Sequence, residues 1–147
     1  MRRAVVAVLL VMFVLLAACR SNGSASRPAN ALTPVGDWRL IALEGEAVEL
    51  PDGARLPTMT IGQDGSIAGM AGVNRFSGSV DPEGWADDGW VMGPLAMTRM
   101  AGPPEAMAFE QRFVELLERA EFVYPWPRTM DLVEGGAFVL RFERVVP

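Results

Sequence analysis

"PPEAMAFEQRFVELLERA", residues 103–120, is the stretch whose reading decides the fold. Ala106, Phe109, Phe113, Leu116, Leu117 and Ala120 recur at three- and four-residue steps, the spacing that aligns one face of an α-helix. Pro103 and Pro104 open it, where a missing N–H removes no helical hydrogen bond. Glu105 falls in the first turn and Arg119 in the last, each at the end of the helix dipole that favours its charge. The spacing predicts one helix over about residues 104–120.

Outward in both directions the period drops to two. Upstream, "GDWRLIALEG" (36–45) sets Trp38, Leu40 and Ala42 against Arg39, Ile41 and Leu43, a strand with at least one buried face. Residues 46–55 read as a loop with a turn at Pro51-Asp52-Gly53. Strands at 58–61 and 66–70 flank Gln63-Asp64-Gly65, where Asp-Gly is a hairpin signal. Two or three short strands follow between 74 and 100, separated at 81–84 and at the Asp87-Asp88-Gly89 turn. Downstream of the helix, strands are expected at 121–124, 129–133 and 137–143, the last two joined by Glu134-Gly135-Gly136. Strands, one helix, then strands is an α+β pattern with antiparallel sheet. One helix cannot cover both faces of about 7–8 strands. The sheet must therefore curl into a partly open, cracked barrel that the helix seals.

The first residues stand apart from this pattern. Met1-Arg2-Arg3 precedes an apolar run from Ala4 to Ala18, shorter than the roughly 20 residues of a membrane span. It reads as a secretion signal, residues 1–18. Leu16-Ala17-Ala18-Cys19 resembles the lipobox of bacterial lipoproteins. That resemblance implies cleavage between Ala18 and Cys19 and acylation of Cys19, with palmitate-type chains. Two or three chains hold a protein firmly where one holds it marginally. Residues 19–33, "CRSNGSASRPANALT", then form the lipidated cysteine and a flexible tether with an r.m.s. span of about 20 Å. Residues 34–147 form one domain. Arg20 after the cysteine is not the Asp that retains lipoproteins in an inner membrane. The expected location is the cell envelope, on the outer membrane facing the periplasm if the cell has two membranes.

Composition excludes much chemistry. The chain has no His and no Lys, and Cys19 is its one cysteine. The commonest general base and metal ligand are missing, and acylation would take the only thiol. No metal or cofactor is called for. From Cys19 onward, 11 arginines face 18 acids. That balance argues against nucleic acid and against adhesion to anionic lipid headgroups. Asp87 and Asp88 are adjacent and read as a turn rather than a catalytic pair, so no enzyme is expected.

The motifs, in order, resemble the META domain, also called the heat-shock HslJ-like domain, over about residues 36–144. They are Gly36-Asp37-Trp38-Arg39-Leu40; the glycine-rich Gly72, Asn74, Phe76 and Gly78; Gly93-Pro94-Leu95-Ala96-Met97-Thr98-Arg99-Met100-Ala101; Glu110-Gln111-Arg112-Phe113; and Leu140, Phe142 and Arg144. The resemblance implies a non-catalytic bacterial envelope domain, linked to heat-shock response and novobiocin tolerance. Its fold looks like that of small secretion-pilot lipoproteins, which bind a partner tail or a lipid. Relatives often carry cysteines where this chain has Val73 and Gly102. Both are absent together, which implies that the two positions are neighbours.

The residues admit structural and binding readings. Asn74 suits a left-handed turn pinned by hydrogen bonds. Arg75 and Arg99 could together hold a carboxylate or phosphate. Thr98 fits a structural hydrogen bond, and Arg99 an ion pair to Glu105 or Glu110. Met92, Met97, Met100 and Met107 fit either core or an adaptable apolar groove with Phe109 or Phe113. Trp85, in an acidic loop, and Trp126, in Pro-Trp-Pro, read as exposed anchors for a partner or as lids. Two functions follow: a monomeric, membrane-anchored interaction module with an envelope protein partner, or a carrier of a lipid or other small apolar ligand in the cracked barrel. A filled barrel with exposed Trp favours the first; a groove lined by Met and Phe favours the second.

Overall fold

The computed structural model describes residues 32–146. The signal, Cys19 and most of the tether lie outside the described residues. β1 (Gly36–Leu43), β2 (Glu46–Ala47), β3 (Thr58–Ile61), β4 (Ser66–Met70), β5 (Arg75–Ser79) and β6 (Ala96–Met97) precede α1 (Pro104–Arg119). β7 (Phe122–Pro125), β8 (Thr129–Glu134) and β9 (Ala137–Arg144) follow it. The class is α+β, as the change of period requires.

The strands form one antiparallel sheet in the order β6-β5-β4-β3-β1-β9-β8-β7, with β2 paired to β1. α1 thus connects the two edge strands and lies across the gap between them. The sheet curls but does not close. Alternation sets its inside: β3 reads exposed, buried, exposed, buried, with Met59 and Ile61 inward. Bulges shift register between Leu40 and Ala42 and between Leu132 and Val133, and bulges bend strands. The first interrupts the strict alternation expected through residues 36–45 and leaves Ile41 half-buried.

The gap is crossed by backbone at one place. Residues 88–92 bridge Met92 to Val80, beyond β5, and Gly89 to Phe122 of β7. Trp90 N–H donates to Glu121 O at 2.8 Å and Val123 N–H to Asp88 O at 2.7 Å. α1 fills the rest. Phe113, fully buried, sits between Phe76 and Phe142 with ring centroids 6.2 and 6.3 Å away. Trp38, Leu40, Leu116 and Leu132 complete the filling. The barrel interior is therefore occupied by the chain's own side chains.

Three expectations change. Residues 46–55 are not all loop: Glu44 and Gly45 both take positive φ (51° and 87°) and turn β1 into β2. A 3₁₀ turn spans Gly84–Asp87. The helix faces the core where the pattern placed it, with Ala106, Phe113, Leu116, Leu117 and Ala120 buried, except at one position. Glu110 is buried, and Phe109 is only half-buried.

Candidate functional site

The turn between β4 and β5 is held from three sides. Gly72 takes φ +142°, and a Cβ there would lie 3.4 Å from Glu110 Cβ and from the Phe109 ring. Glycine lets α1 press directly on the turn. Glu110, 4 % exposed, then reaches in. Its Oε2 accepts from Val73 N–H at 2.8 Å and from Asn74 N–H, and its Oε1 accepts from Asn74 Nδ2 at 2.8 Å.

Asn74, 2 % exposed, spends the rest of its amide on the segment before the helix. Nδ2 also donates to Met100 O at 3.1 Å. Oδ1 accepts from the Thr98 hydroxyl at 2.9 Å and from Met100 N–H at 2.6 Å. The Thr98 oxygen accepts in turn from Arg75 N–H at 3.0 Å. So Asn74, Thr98, Met100 and Glu110 form one lock joining β5, the 98–101 segment and α1. Every buried polar atom in it has a partner, which is what makes such a network stabilising. The left-handed residue is Gly72 rather than Asn74; the asparagine is there for its amide. Gly78 serves a second close approach, since a Cβ there would meet Leu95 Cδ2 at 2.7 Å. Phe76 re-enters the core beside Phe113.

A second lock lies at the opposite end of the sheet. Trp38 Nε1 donates to Pro34 O at 2.7 Å. The Arg144 guanidinium lies 4.2 Å over the Trp38 ring and donates to Val35 O at 3.0 Å and Thr33 O at 3.3 Å. Gly36 leaves room for that guanidinium. The root of the tether is thereby fixed to β1 and β9.

The candidate binding residues do not converge. Arg75 is exposed and lines a shallow depression on the outer face of the sheet with Thr58, Thr60 and Met70; Arg99 does not line it. Glu110 gives its carboxyl to the turn, and among the described residues no ion pair joins Arg99 to Glu105 or Glu110. Trp85, expected at the surface, is 6 % exposed and belongs to the core. Trp126 is 52 % exposed. Its indole Nε1 donates to Asp131 Oδ2 at 3.3 Å, and Asp131 is buried and paired with Arg141. That pairing holds the Arg141 guanidinium above its ordinary pKa, first through the hydrogen bond and then through charge. Among the described residues no group of three or more His, Cys, Asp or Glu is placed to hold a metal.

Open concavities of 700 and 470 Å³ lie beside Trp85 and beside β2, and a third carries two of the expected methionines. This third, an open groove of 660 Å³, runs between edge strand β6 and α1, lined by Met97, Pro104, Met107, Gln111, Val114 and Glu118 among others. Glu115 stands on its rim. Hydrogen bonds from Arg112 first, and then Arg119, hold its carboxyl below its ordinary pKa. Of the methionines expected at the helix seam, Met97 and Met107 line this groove. Met92 packs on the core, and Met100 is half exposed. Phe113 is wholly internal.

Val73 and Gly102 are neighbours. A Cβ on Gly102 would lie 2.8 and 3.0 Å from the two Val73 methyls. With an S–S bond of about 2.04 Å, the Cβ of one half-cystine lies about 3 Å from the sulfur of the other. The position of a Val73 methyl is thus that of a bridging sulfur. Val73→Cys with Gly102→Cys is expected to lose both free thiols on mild oxidation. It should gain about 2–4 kcal/mol by urea unfolding. Two titratable thiols in the folded, oxidised protein would contradict this geometry.

Comparison with known proteins agrees with this construction. A comparison with curated proteins gave no match. A solution structure of a protein from Burkholderia xenovorans is 27 % identical, covers 76 % of this chain and 83 % of its own, and superposes with a TM-score of 0.60. A second solution structure is 22 % identical over 74 % of this chain and 87 % of its own, with a TM-score of 0.55. A crystal structure of a DUF4847 family protein from Bacteroides vulgatus is 17 % identical over 75 % and 92 %, with a TM-score of 0.50. The latter two carry likeness of fold alone. Residues 30–145 match the META domain, a span that holds the whole sheet, the helix and both locks, and the chain belongs to the META domain family.

Proposed function

We propose that this chain is a lipid-anchored envelope protein whose META domain is a non-catalytic interaction module, acting in stress or antibiotic tolerance. Cys19 carries the acyl chains, and the domain works as a monomer facing the periplasm. The observation that carries the reading is the filled barrel. Phe113, Trp38 and Phe142 occupy the interior that an apolar ligand would need. Of the family motif residues, Trp38, Asn74, Thr98, Met100, Glu110 and Arg144 are spent on the two locks and Phe76, Phe113 and Phe142 on the core, which leaves the surface for binding. On that surface the groove between β6 and α1 has an adaptable floor of Met97, Met107 and Val114, suited to an apolar side chain of a partner segment. Glu118 at its edge suits a basic flank on that segment.

Three experiments test this reading and its alternative. Cys19→Ala is expected to move the membrane-bound protein wholly to the soluble fraction; a variant that still sediments with membranes defeats the anchor. A photo-cross-linking residue at Gln111, in the groove, should give a discrete adduct with an envelope protein in living cells. The same residue at Thr60, on the outer sheet face, should not. Equal labelling from both sites, or from neither, defeats the groove. Native mass spectrometry decides the carrier alternative: a mass increment that leaves on activation would revive it, and a bare mass fits the module.

A further inference from the structure

Strand register places the tether root, the end of β9 and the turn after β7 at one end of the sheet. Trp38 pairs with Arg144, Glu143 with Thr129, and Met130 with Pro125. Arg144 N–H donates to Arg128 O at 2.8 Å, and Arg144 also holds Thr33 O, so these segments touch. That end displays Trp126, Val145 and Val146, which are 52 %, 45 % and 75 % exposed. The other tryptophans, Trp38, Trp85 and Trp90, are all buried.

The geometry points to a membrane-docking surface at the tether end, seated in the headgroup layer of a zwitterionic phospholipid bilayer by Trp126. This rests on the lipid-anchor reading. Trp126 is presented rigidly. Pro125 and Pro127 fix the backbone on either side, its own N–H bonds Thr129 O at 2.7 Å, and Asp131 holds its indole N–H. Its ring faces outward, so seating it orders little that is not already ordered. An indole with one polar bond and an apolar body partitions to the membrane interface. Reach supports the same partner. Only residues 20–32 separate Cys19 from Thr33, and so short a chain keeps this end near the bilayer that the anchor reading assigns to Cys19. Area separates membrane from protein as the occupant: one indole and two valines fall short of the roughly 800 Å² per partner of a stable protein interface. They suffice as a second membrane signal beside an anchor already in place. The acidic chain turns away from anionic headgroups, which leaves zwitterionic lipid. Docked this way, the Asn74–Glu110 end of the domain points to the periplasm.

The full acylated protein would be reconstituted into phosphatidylcholine vesicles carrying bromine near the top of the acyl chains. Flotation reports the anchor, and tryptophan quenching reports the docking. The wild type is expected to float and to lose about a quarter of its emission, the share of one tryptophan in four. Trp126→Phe should float equally and lose none. Floating protein with unquenched emission overturns the docking and leaves the anchor standing. So does quenching that persists in Trp126→Phe, or a Trp126 shielded from aqueous iodide but not reached by bromine, which would mean a protein covers it. Protein that does not float overturns both.

Discussion

Asn74→Asp is expected to lower the stability of the domain by about 3–5 kcal/mol, although it changes one –NH₂ to one oxygen and leaves the shape of the side chain intact. The reason is the direction of two hydrogen bonds. Nδ2 donates to Glu110 Oε1 at 2.8 Å and to Met100 O at 3.1 Å. An oxygen in its place meets two oxygens with no proton between them, in a site 2 % exposed where water cannot screen them. Flipping the carboxyl does not help, because Oδ1 already accepts from Thr98 and Met100. Against a total stability of about 5–15 kcal/mol for a domain of this size, the loss would move the urea midpoint by a molar or more.

The pH dependence of that loss has a definite sign. A carboxyl at position 74 would be neutral more readily in the folded chain than in the unfolded one, since only its protonated form can donate, through its single O–H, to Glu110 or to Met100. A raised folded pKa in an acid makes the folded state hold the extra proton. The deficit relative to wild type is therefore complete above that folded pKa and shrinks as pH falls through it. Asn74→Ala removes the same bonds without adding charge and should show no such recovery. Equal urea curves for Asn74→Asp and wild type would mean that the turn is not locked by this amide, and the structural account of the motif would fail with it.

How far the sequence could take this is clear from particular residues. The strands at Thr58–Ile61 and Ser66–Met70 have the expected bounds, and the helix ends within a residue of expectation, at Arg119. These elements are coded by local period and by turn residues. Glu110 was hidden because an acid in a helix reads as solvated surface. Its position was the available signal. It lies four residues after Ala106, three before Phe113 and seven before Leu117, inside the buried stripe. A charged residue there has to find several donors, and the glycine-rich turn supplies them. Trp85 was misplaced for the converse reason. Glu83, Asp87 and Asp88 around it are acidic and exposed, but the short 3₁₀ turn sends one residue inward while its neighbours face water. The bridge from residues 88–92 to β7 has no local signature at all, because it depends on the curl of the whole sheet.

Phe113→Ala is expected to cost about 3–5 kcal/mol and, if the chain still folds, to give the domain a ligand cavity that the wild type lacks. Phe113 is fully buried on the helix stripe between Phe76 of β5 and Phe142 of β9, strands from both halves of the curled sheet. No other helix is present among the described residues to move into its space, apart from the single 3₁₀ turn near Trp85. The neighbours would relax only in part, and an apolar void of this kind stays dry and takes up small aromatic molecules. Benzene should therefore raise the melting temperature of Phe113→Ala, by mass action on the folded state, and leave that of the wild type unchanged. The comparison bears directly on function. If benzene stabilises both proteins alike, the wild-type barrel already has accessible space and the carrier alternative gains its chamber. If it stabilises only the variant, the interior of the natural domain is closed by Phe113, and binding belongs to the outer surface, where the Met97–Met107 groove and the Trp126 end lie.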